Sequence, residues 1–432
     1  ALNGFRSTTT SEMRLQGAPI MPGDEVSKAL IEKTEELGRA VSRLSLLQTQ
    51  DALTLLRFSL SIPKLMYILR TSDCQSNPAL TDFDDTLRSG LSTIMNVELK
   101  GDQWLQASLP VRDGGLGIRS AVMLAPSAFL ASAAGTTELQ ARILPPTTSV
   151  IPDESVKLSL ECWTSRSQSS PPVGLSAHVQ RNWDSACTLK SKEELLLRAN
   201  GKRDQARLLA SQETHSADWL FALPISAISL RLSNEAARVA VAIRLGAKVC
   251  ETHECPCGAV VDTTGTHVLS CRKSAGRQQR HSLINDIIWR SMTKAKIQAV
   301  KEPNGLTRRD GKRPDGVTLI PWACGRCLTW DVTVPDTLAA SHIEHTSLTA
   351  GAAAEHAAEL KIQKYADLST FYDFVPIAVE TLGSWSEGAL SFVKALGKRI
   401  TEVTGDEQET AYLLQRLSVA IQRCNEICFS GS

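Results

Sequence analysis

Apolar residues recur at intervals of three and four from residue 24 to 70, at Ala29, Leu30, Leu37, Ala40, Val41, Leu44, Leu47, Leu53 and Leu56. This spacing predicts helix, with Pro63 as an interruption near its end. A second helix is expected over Asp85 to Met95, opened by Asp82 or Asp84 as a cap. Gly114-Gly115-Leu116-Gly117 marks a turn before a further helical run that ends near Gly135. The periodicity then fails. Pro145-Pro146-Thr147-Thr148 and Ser167-Gln168-Ser169-Ser170-Pro171-Pro172 are the composition of a linker, expected within residues 140 to 180. Helical spacing returns over 183 to 246, with Leu220, Ile225, Leu230, Ala236, Val239, Ile243 and Leu245 as the candidate core.

From Cys250 to Cys271 apolar residues thin out, and the pattern afterwards mixes its periods. A helix is predicted over 279 to 295, strands near 297 to 302, 315 to 321 and 327 to 334, a helix over 350 to 368, and a strand over 373 to 380. An α-β-β-β-α-β order assembles most simply as an α/β or α+β core. The tail from 387 to 428 reads as helix. The chain therefore divides into a helical region over 1–140, a linker over 141–182, a helical connector over 183–249, a Cys/His segment over 250–278, an α/β domain over 279–395 and a terminal helix over 396–432. At 432 residues, several domains are the natural expectation.

Composition is that of a globular protein, and apolar runs such as Val239 to Ile243 fall short of a membrane span. The start, Ala-Leu-Asn-Gly-Phe-Arg, has no signal-peptide pattern and no initiator Met, so the chain reads as a piece of something longer. Formal net charge is +1, which announces no polyanion partner, but the distribution is uneven. Between Cys271 and Arg313 twelve cations, among them Arg308, Arg309, Lys312 and Arg313, face three anions. That excess suits a nucleic acid, although a solvated helix face would look the same. Eleven cysteines with no signal segment suit a reducing, intracellular setting rather than a disulfide framework.

The narrowest chemistry lies between Arg313 and Tyr365. Arg313-Pro314-Asp315-Gly316 precedes an apolar strand. The chain turns at Cys324-Gly325-Arg326 and returns as Trp330-Asp331-Val332-Thr333-Val334. Period-two alternation sets Asp331 and Thr333 on one face and Trp330 and Val332 on the other. In such a hairpin Asp315 and Asp331 can share a hard cation, Mg²⁺ or Mn²⁺, which prefers carboxylate oxygens. Lys361, Lys364 and Tyr365 follow at helical spacing on one face, where an ammonium can orient water or stabilise a pentacovalent phosphate. The bland alternative is a strand start, an edge residue and solvated lysines.

Upstream, Cys255-Pro256-Cys257, His267 and Cys271 offer four borderline-soft ligands on a loop-rich stretch. Zn²⁺ held by three cysteines and a histidine is the expected occupant, contributing about 10–16 kcal/mol of apparent binding free energy to local folding. Cys-x-Cys is tighter than the usual spacing, so Cys250 or His253 can replace one ligand. Cys324-Gly-Arg-Cys327 mimics a redox pair but sits at a hairpin turn, and Cys424 with Cys428 reads as helix core.

The segment from Arg313 to Tyr365 resembles the PD-(D/E)xK nucleases, in particular the restriction-like endonuclease of site-specific non-LTR retrotransposons. Those proteins carry a similar Lys/Arg-Pro-Asp, an Asp-Val-Thr-Val strand, and a lysine moved onto the following helix beside a tyrosine. Thr333 stands where the general signature has lysine, and Lys361 or Lys364 fills the gap. The Cys/His segment is similar to the zinc-binding segment of the same elements. More weakly, Leu15 to Ile20 and Leu109 to Ile118 resemble the thumb and connector that follow a reverse-transcriptase palm. The resemblance implies the C-terminal part of a retrotransposon polyprotein without its polymerase palm. Its Asp315, Asp331, Lys361, Lys364 and Tyr365 would nick DNA in the nucleus to prime reverse transcription, with element RNA or an RNA–DNA hybrid as a further partner. The rival expectation is a zinc-containing nucleic-acid-binding remnant without turnover.

Overall fold

The helix expected over residues 24 to 70 is broken twice in the computed structural model, which describes residues 13–20, 23–143, 154–307 and 311–430. α1 spans Asp24–Leu44 and α2 Thr49–Leu55. Leu56–Leu60 then widens into a π-helical turn that closes at Ser61, where φ is −102° and ψ is −124°. α3 (Ile62–Thr71) starts there, with Pro63 in its first turn, where a missing N–H leaves no hydrogen bond unmade. Pro63 therefore opens a helix rather than interrupting one. Thr49–Thr71 has the length and apolarity of a membrane span, but its Leu53, Leu56, Leu65 and Leu69 are buried in the fold.

α4 runs Ala79–Met95, so Asp82 and Asp84 lie inside it rather than capping it. Asp84 is buried and caps a different helix. Its carboxylate accepts from Ala121 N at 2.7 Å, from Val122 N at 3.3 Å and from Ser120 Oγ, at the start of α6 (Ala121–Ile143). Around these lie α5 (Gly101–Ala107), the hairpin of β1 (Arg14–Leu15) and β2 (Ala18–Pro19), α7 (Glu154–Ser167) and α8 (Gln180–Leu197).

The expected linker is in large part structured. α7 lies inside it and packs on α6 and α8. Trp163 and Trp183 meet edge to face with centroids 4.9 Å apart, and Trp163 Nε1 donates to Trp183 O at 3.0 Å. The apolar face of α7 is little more than Val156, Leu160 and Trp163 among Ser, Thr and charged residues, so periodicity hid it. Pro145-Pro146 lies outside the described residues. The chain divides by contacts into Ala1–Pro110 with Leu116–Arg198, and Val111–Gly115 with Ala199–Ser432. The boundary at Arg198 falls after the expected linker, not within it.

The second unit holds α9 (Gly201–Gln212), α10 (Asn234–Leu245), the hairpin of β3 (His253–Glu254) and β4 (Val260–Val261), and α11 (Thr266–Ser270). α12 (Ala275–Lys294) leads into β5 (Ala299–Lys301), β6 (Gly316–Thr318) and β7 (Cys327–Thr333). α13 (Ile343–Thr346) and α14 (Ala352–Lys364) carry the chain to β8 (Tyr372–Ala378). The sheet order is β5-β6-β7-β8, with β7 and β8 parallel and the other pairs antiparallel. Pro376 is tolerated because β8 is an edge strand.

One face of this sheet carries Leu328, Trp330, Val332, Ile377 and Val379 into a core with α12, α15 (Glu387–Thr404) and α16 (Glu409–Ser430). The other face is covered by α14, where Ala354 and Ala358 meet Ala378. The tail is thus part of the core, not a separate terminal helix. Gly276 on α12 allows the close approach of α16, since a Cβ there would fall 2.4 Å from Cys428 Sγ. The chain as a whole is multidomain and mainly helical with small sheets.

Candidate functional site

Two clusters in the second unit bring together side chains that can hold metal ions. The first is built by the hairpin β3–β4 and by α11. Gly258 (φ +89°) lets the loop Cys255-Pro-Cys257 turn tightly, with Gly258 N donating to Cys255 O at 2.7 Å. α11 then returns His267, and Cys271 follows it. Cys255 Sγ lies 3.6 Å from Cys271 Sγ, and Cys257 Sγ lies 3.1 Å from His267 Nε2. All four ligand atoms fall within 4.8 Å of one another. The Cys257 thiol is drawn down to about 7, first by the Ala259 N–H and then by Cys255, His267 and Cys271. A group that ionises so readily suits a metal thiolate. Three sulfurs and an imidazole could hold a metal such as zinc. Cys250 and His253 stand outside the group. Cys250 Sγ donates to Asp262 O and His253 Nδ1 contacts Glu251 O at 2.8 Å.

The second cluster sits where β6 and β7 meet α12 and α14. Pro314-Asp315-Gly316 enters the sheet beneath Trp330. A Cβ at 316 would fall 2.0 Å from the Trp330 ring, so only glycine fits beside Asp315. Asp315 N donates to Trp330 O at 2.9 Å, and Asp315 Oδ2 accepts from Val332 N at 2.6 Å. Asn285 on α12 ties the two strands further, accepting from Trp330 Nε1 at 2.9 Å and donating to Asp315 O at 3.4 Å. Alternation along β7 sends Trp330 and Val332 to the core and Asp331 to the α14 face, as expected.

Lys361 Nζ contacts Asp331 Oδ1 directly, whereas Lys364 Nζ is 3.9 Å from Asp331 Oδ2. Lys364 donates instead to the Tyr365 hydroxyl at 2.7 Å, which donates in turn to Arg313 O at 2.8 Å. Tyr365 is buried, with its ring against Phe374. It reaches the backbone that delivers Asp315, not the carboxylates themselves.

Sequence reasoning missed His281. Its Nε2 lies 2.9 Å from Asp315 Oδ2, and His281, Asp315 and Asp331 offer ligand atoms within 4.8 Å of one another. Hydrogen bonding to Asp315 raises the His281 pKa, and the charges of Asp315 and Asp331 add to this against burial and Lys361. The signal was present: His281 and Asn285 are four apart on α12, so they share the face turned to the strands.

The basic stretch is less free than its charge count implies. Arg280 is buried, donating to Asn425 Oδ1 at 2.8 Å and Leu269 O at 2.5 Å. Arg313 is bonded to Glu302 and to Asn304 Oδ1, and Lys294 and Lys301 are paired with Glu409 and Asp286. Lys312 is exposed. Arg308 and Arg309 lie outside the described residues.

No protein-family model matches the chain, and no curated protein is similar to it at a significant level.

Proposed function

We propose that this chain is a metal-dependent DNA endonuclease of the PD-(D/E)xK kind, the module of a non-LTR retrotransposon protein that nicks target DNA. The observation that carries the reading is the convergence of Asp315, Asp331 and His281 with the Lys361 ammonium on one side of a strand pair. Two carboxylates alone would be ordinary. Two carboxylates, an imidazole and a cation at one point form a set that few structural roles require.

The donor set fits a divalent ion, and the imidazole makes Mn²⁺ at least as suitable as Mg²⁺. Such an ion supplies charge neutralisation at a phosphate and a more acidic water. The chain's own groups divide the remaining work. Asp315 and Asp331, with His281 as a third donor, would hold the ion, and the Val332 N–H fixes the Asp315 carboxylate. Lys361 brings a positive charge to the side where negative charge grows on a pentacovalent phosphate. Lys364 and Tyr365 hold Arg313 O and so position Asp315. The Cys/His group braces the segment that leads into α12.

Nicking of supercoiled plasmid by the full chain with Mn²⁺ or Mg²⁺ tests this, against Asp331→Ala. Equal rates in both proteins overturn it.

A second reading has one observation in its favour. Lys361 already neutralises Asp331, and several nearby cations are paired with acids or buried. A binding remnant would show salt-dependent affinity for DNA and no cleavage with any divalent ion.

A further inference from the structure

Two arginines of the second unit are buried together, and neither belongs to the clusters described above. Arg207 lies on α9 and Arg244 in the last turn of α10. Arg207 donates to Arg244 O and, from Nε at 2.8 Å and Nη2 at 2.6 Å, to Asp204 Oδ1. Arg244 donates to Gly115 O at 3.1 Å, Val111 O at 3.0 Å and Ser211 O at 2.9 Å. Gly246, with φ +62°, makes the room, since a Cβ there would fall 2.6 Å from Arg207 Nε. Two guanidiniums and the Asp204 carboxylate sum to a charge of +1, and charge held out of water is costly. Burial pushes the Arg207 pKa down, and Asp204 opposes that only in part.

Both arginines line a cavity of about 20 Å³. Ser211, Ser216, Trp219 and Gln422 share its wall, all of them buried, and no acid is among its lining residues. A space of this size admits one particle about as large as a water molecule. A guanidinium offers donors and no acceptor, so two of them favour an occupant that only accepts. A monatomic anion accepts on every side and cancels the residual charge. A polyatomic oxyanion does not fit the volume.

We infer that this cavity is an anion site, in which Arg207 and Arg244 hold one monovalent ion of the halide class beside Gln422. The ion ties α9, α10 and α16 at one point, since these helices supply Arg207, Arg244 and Gln422. The site uses none of the Asp315 centre, so it holds whether or not that centre cuts DNA.

Thermal unfolding of the full chain tests this, in sodium chloride and in sodium gluconate at equal ionic strength. An ion that binds only the folded chain stabilises it by mass action. The melting temperature should climb by about 3 °C for each tenfold rise in chloride once the site begins to fill. Gluconate is too large to enter and should give no such rise. Equal melting in the two salts overturns the inference and leaves a water in the cavity. Gln422→Glu sets a fixed carboxylate in the wall and keeps an oxygen for Asn425 Nδ2. That variant should lose the chloride response, whereas a response as large as that of wild type would place the ion elsewhere and overturn the assignment. Crystals of the wild-type chain grown in sodium bromide give a readout that needs no variant to fold. Bromide should appear by anomalous scattering between Arg207 and Arg244; peaks confined to the protein surface would sink the site.

Discussion

Lys361 places its ammonium on Asp331 Oδ1, while Lys364, one helical turn later, stands 3.9 Å from the other oxygen and binds Tyr365 more closely. Sequence spacing left the two lysines equivalent, because residues three apart share a helix face. The sheet breaks the tie. Asp331 is nearly fully buried beneath α14, and only the lysine on the turn above it meets the carboxylate head-on. Lys361→Ala should therefore lower the plasmid-nicking rate roughly 10²-fold, the usual cost of removing one group that stabilises transition-state charge. Lys364→Ala should cost far less. The reverse order of effects, in single-turnover assays of the full chain, would reassign the two roles.

Tyr365 was expected among the catalytic residues, yet its hydroxyl donates to Arg313 O and its ring lies buried on Phe374. Tyr365→Phe keeps the ring and removes the bond. We expect a loss of about 1 kcal/mol of unfolding free energy in urea, with nicking slowed only several-fold through looser placement of Asp315. A collapse of nicking with unchanged stability would instead give the phenol a direct role in the chemistry.

How much of this was legible depends on whether each signal was local. The strand alternation around Asp331, the turn at Gly325 and the knuckle Cys255-Pro-Cys257 are encoded within a few residues, and the structure has them. The cap role of Asp84 is not local, since its partners Ser120 to Val122 lie some 36 residues away. His281 was overlooked for the same reason: nothing near it in sequence names Asp315. Gly316 lies between the two cases. The dipeptide Asp315-Gly316 is visible, but the indole of Trp330 that forbids any side chain there comes from the next strand. The charge count near Arg313 overstates the free cations, because the burial of Arg280 and the pairing of Lys294 with Glu409 are tertiary relations that no local pattern shows.

The Cys/His group makes a prediction that owes nothing to nuclease activity. Its ligands cover a small apolar cluster formed by Val261, Val268, Leu269 and Cys428. Purified chain should carry one equivalent of zinc by elemental analysis, and Cys257→Ser with His267→Ala should carry none. Loss of the metal should also raise amide exchange across β3, β4 and α11, because a structural site contributes its binding energy to the local fold. Full zinc content in the double variant would mean that Cys250 and His253 complete the ligand set.

The helix that presents Lys361 is anchored at its opposite end by Glu380. That carboxylate has no exposed surface, and its Oε1 accepts from Ala353 N at 2.9 Å and Ala354 N at 3.2 Å, in the first turn of α14. Burial raises its pKa from 4.5 to about 7, with the charge of Asp336 adding to the effect and hydrogen bonds from Thr337, Ala354 and Ala353 opposing it. The folded chain thus holds a proton there that the unfolded chain releases between those values. Its contribution to stability is full below about pH 4.5 and is lost as pH rises through about 7, on the order of 3 kcal/mol in all. Glu380→Gln keeps an acceptor oxygen for the two N–H groups and abolishes the titration. Urea unfolding of both proteins at pH 5 and pH 8 measures the difference, and comparison at each pH cancels the protonation of the zinc ligands. We expect the variant to gain relative to wild type by up to that amount between the two pH values. A constant offset would show that Glu380 stays ionised in the fold, with its charge carried by the positive end of α14.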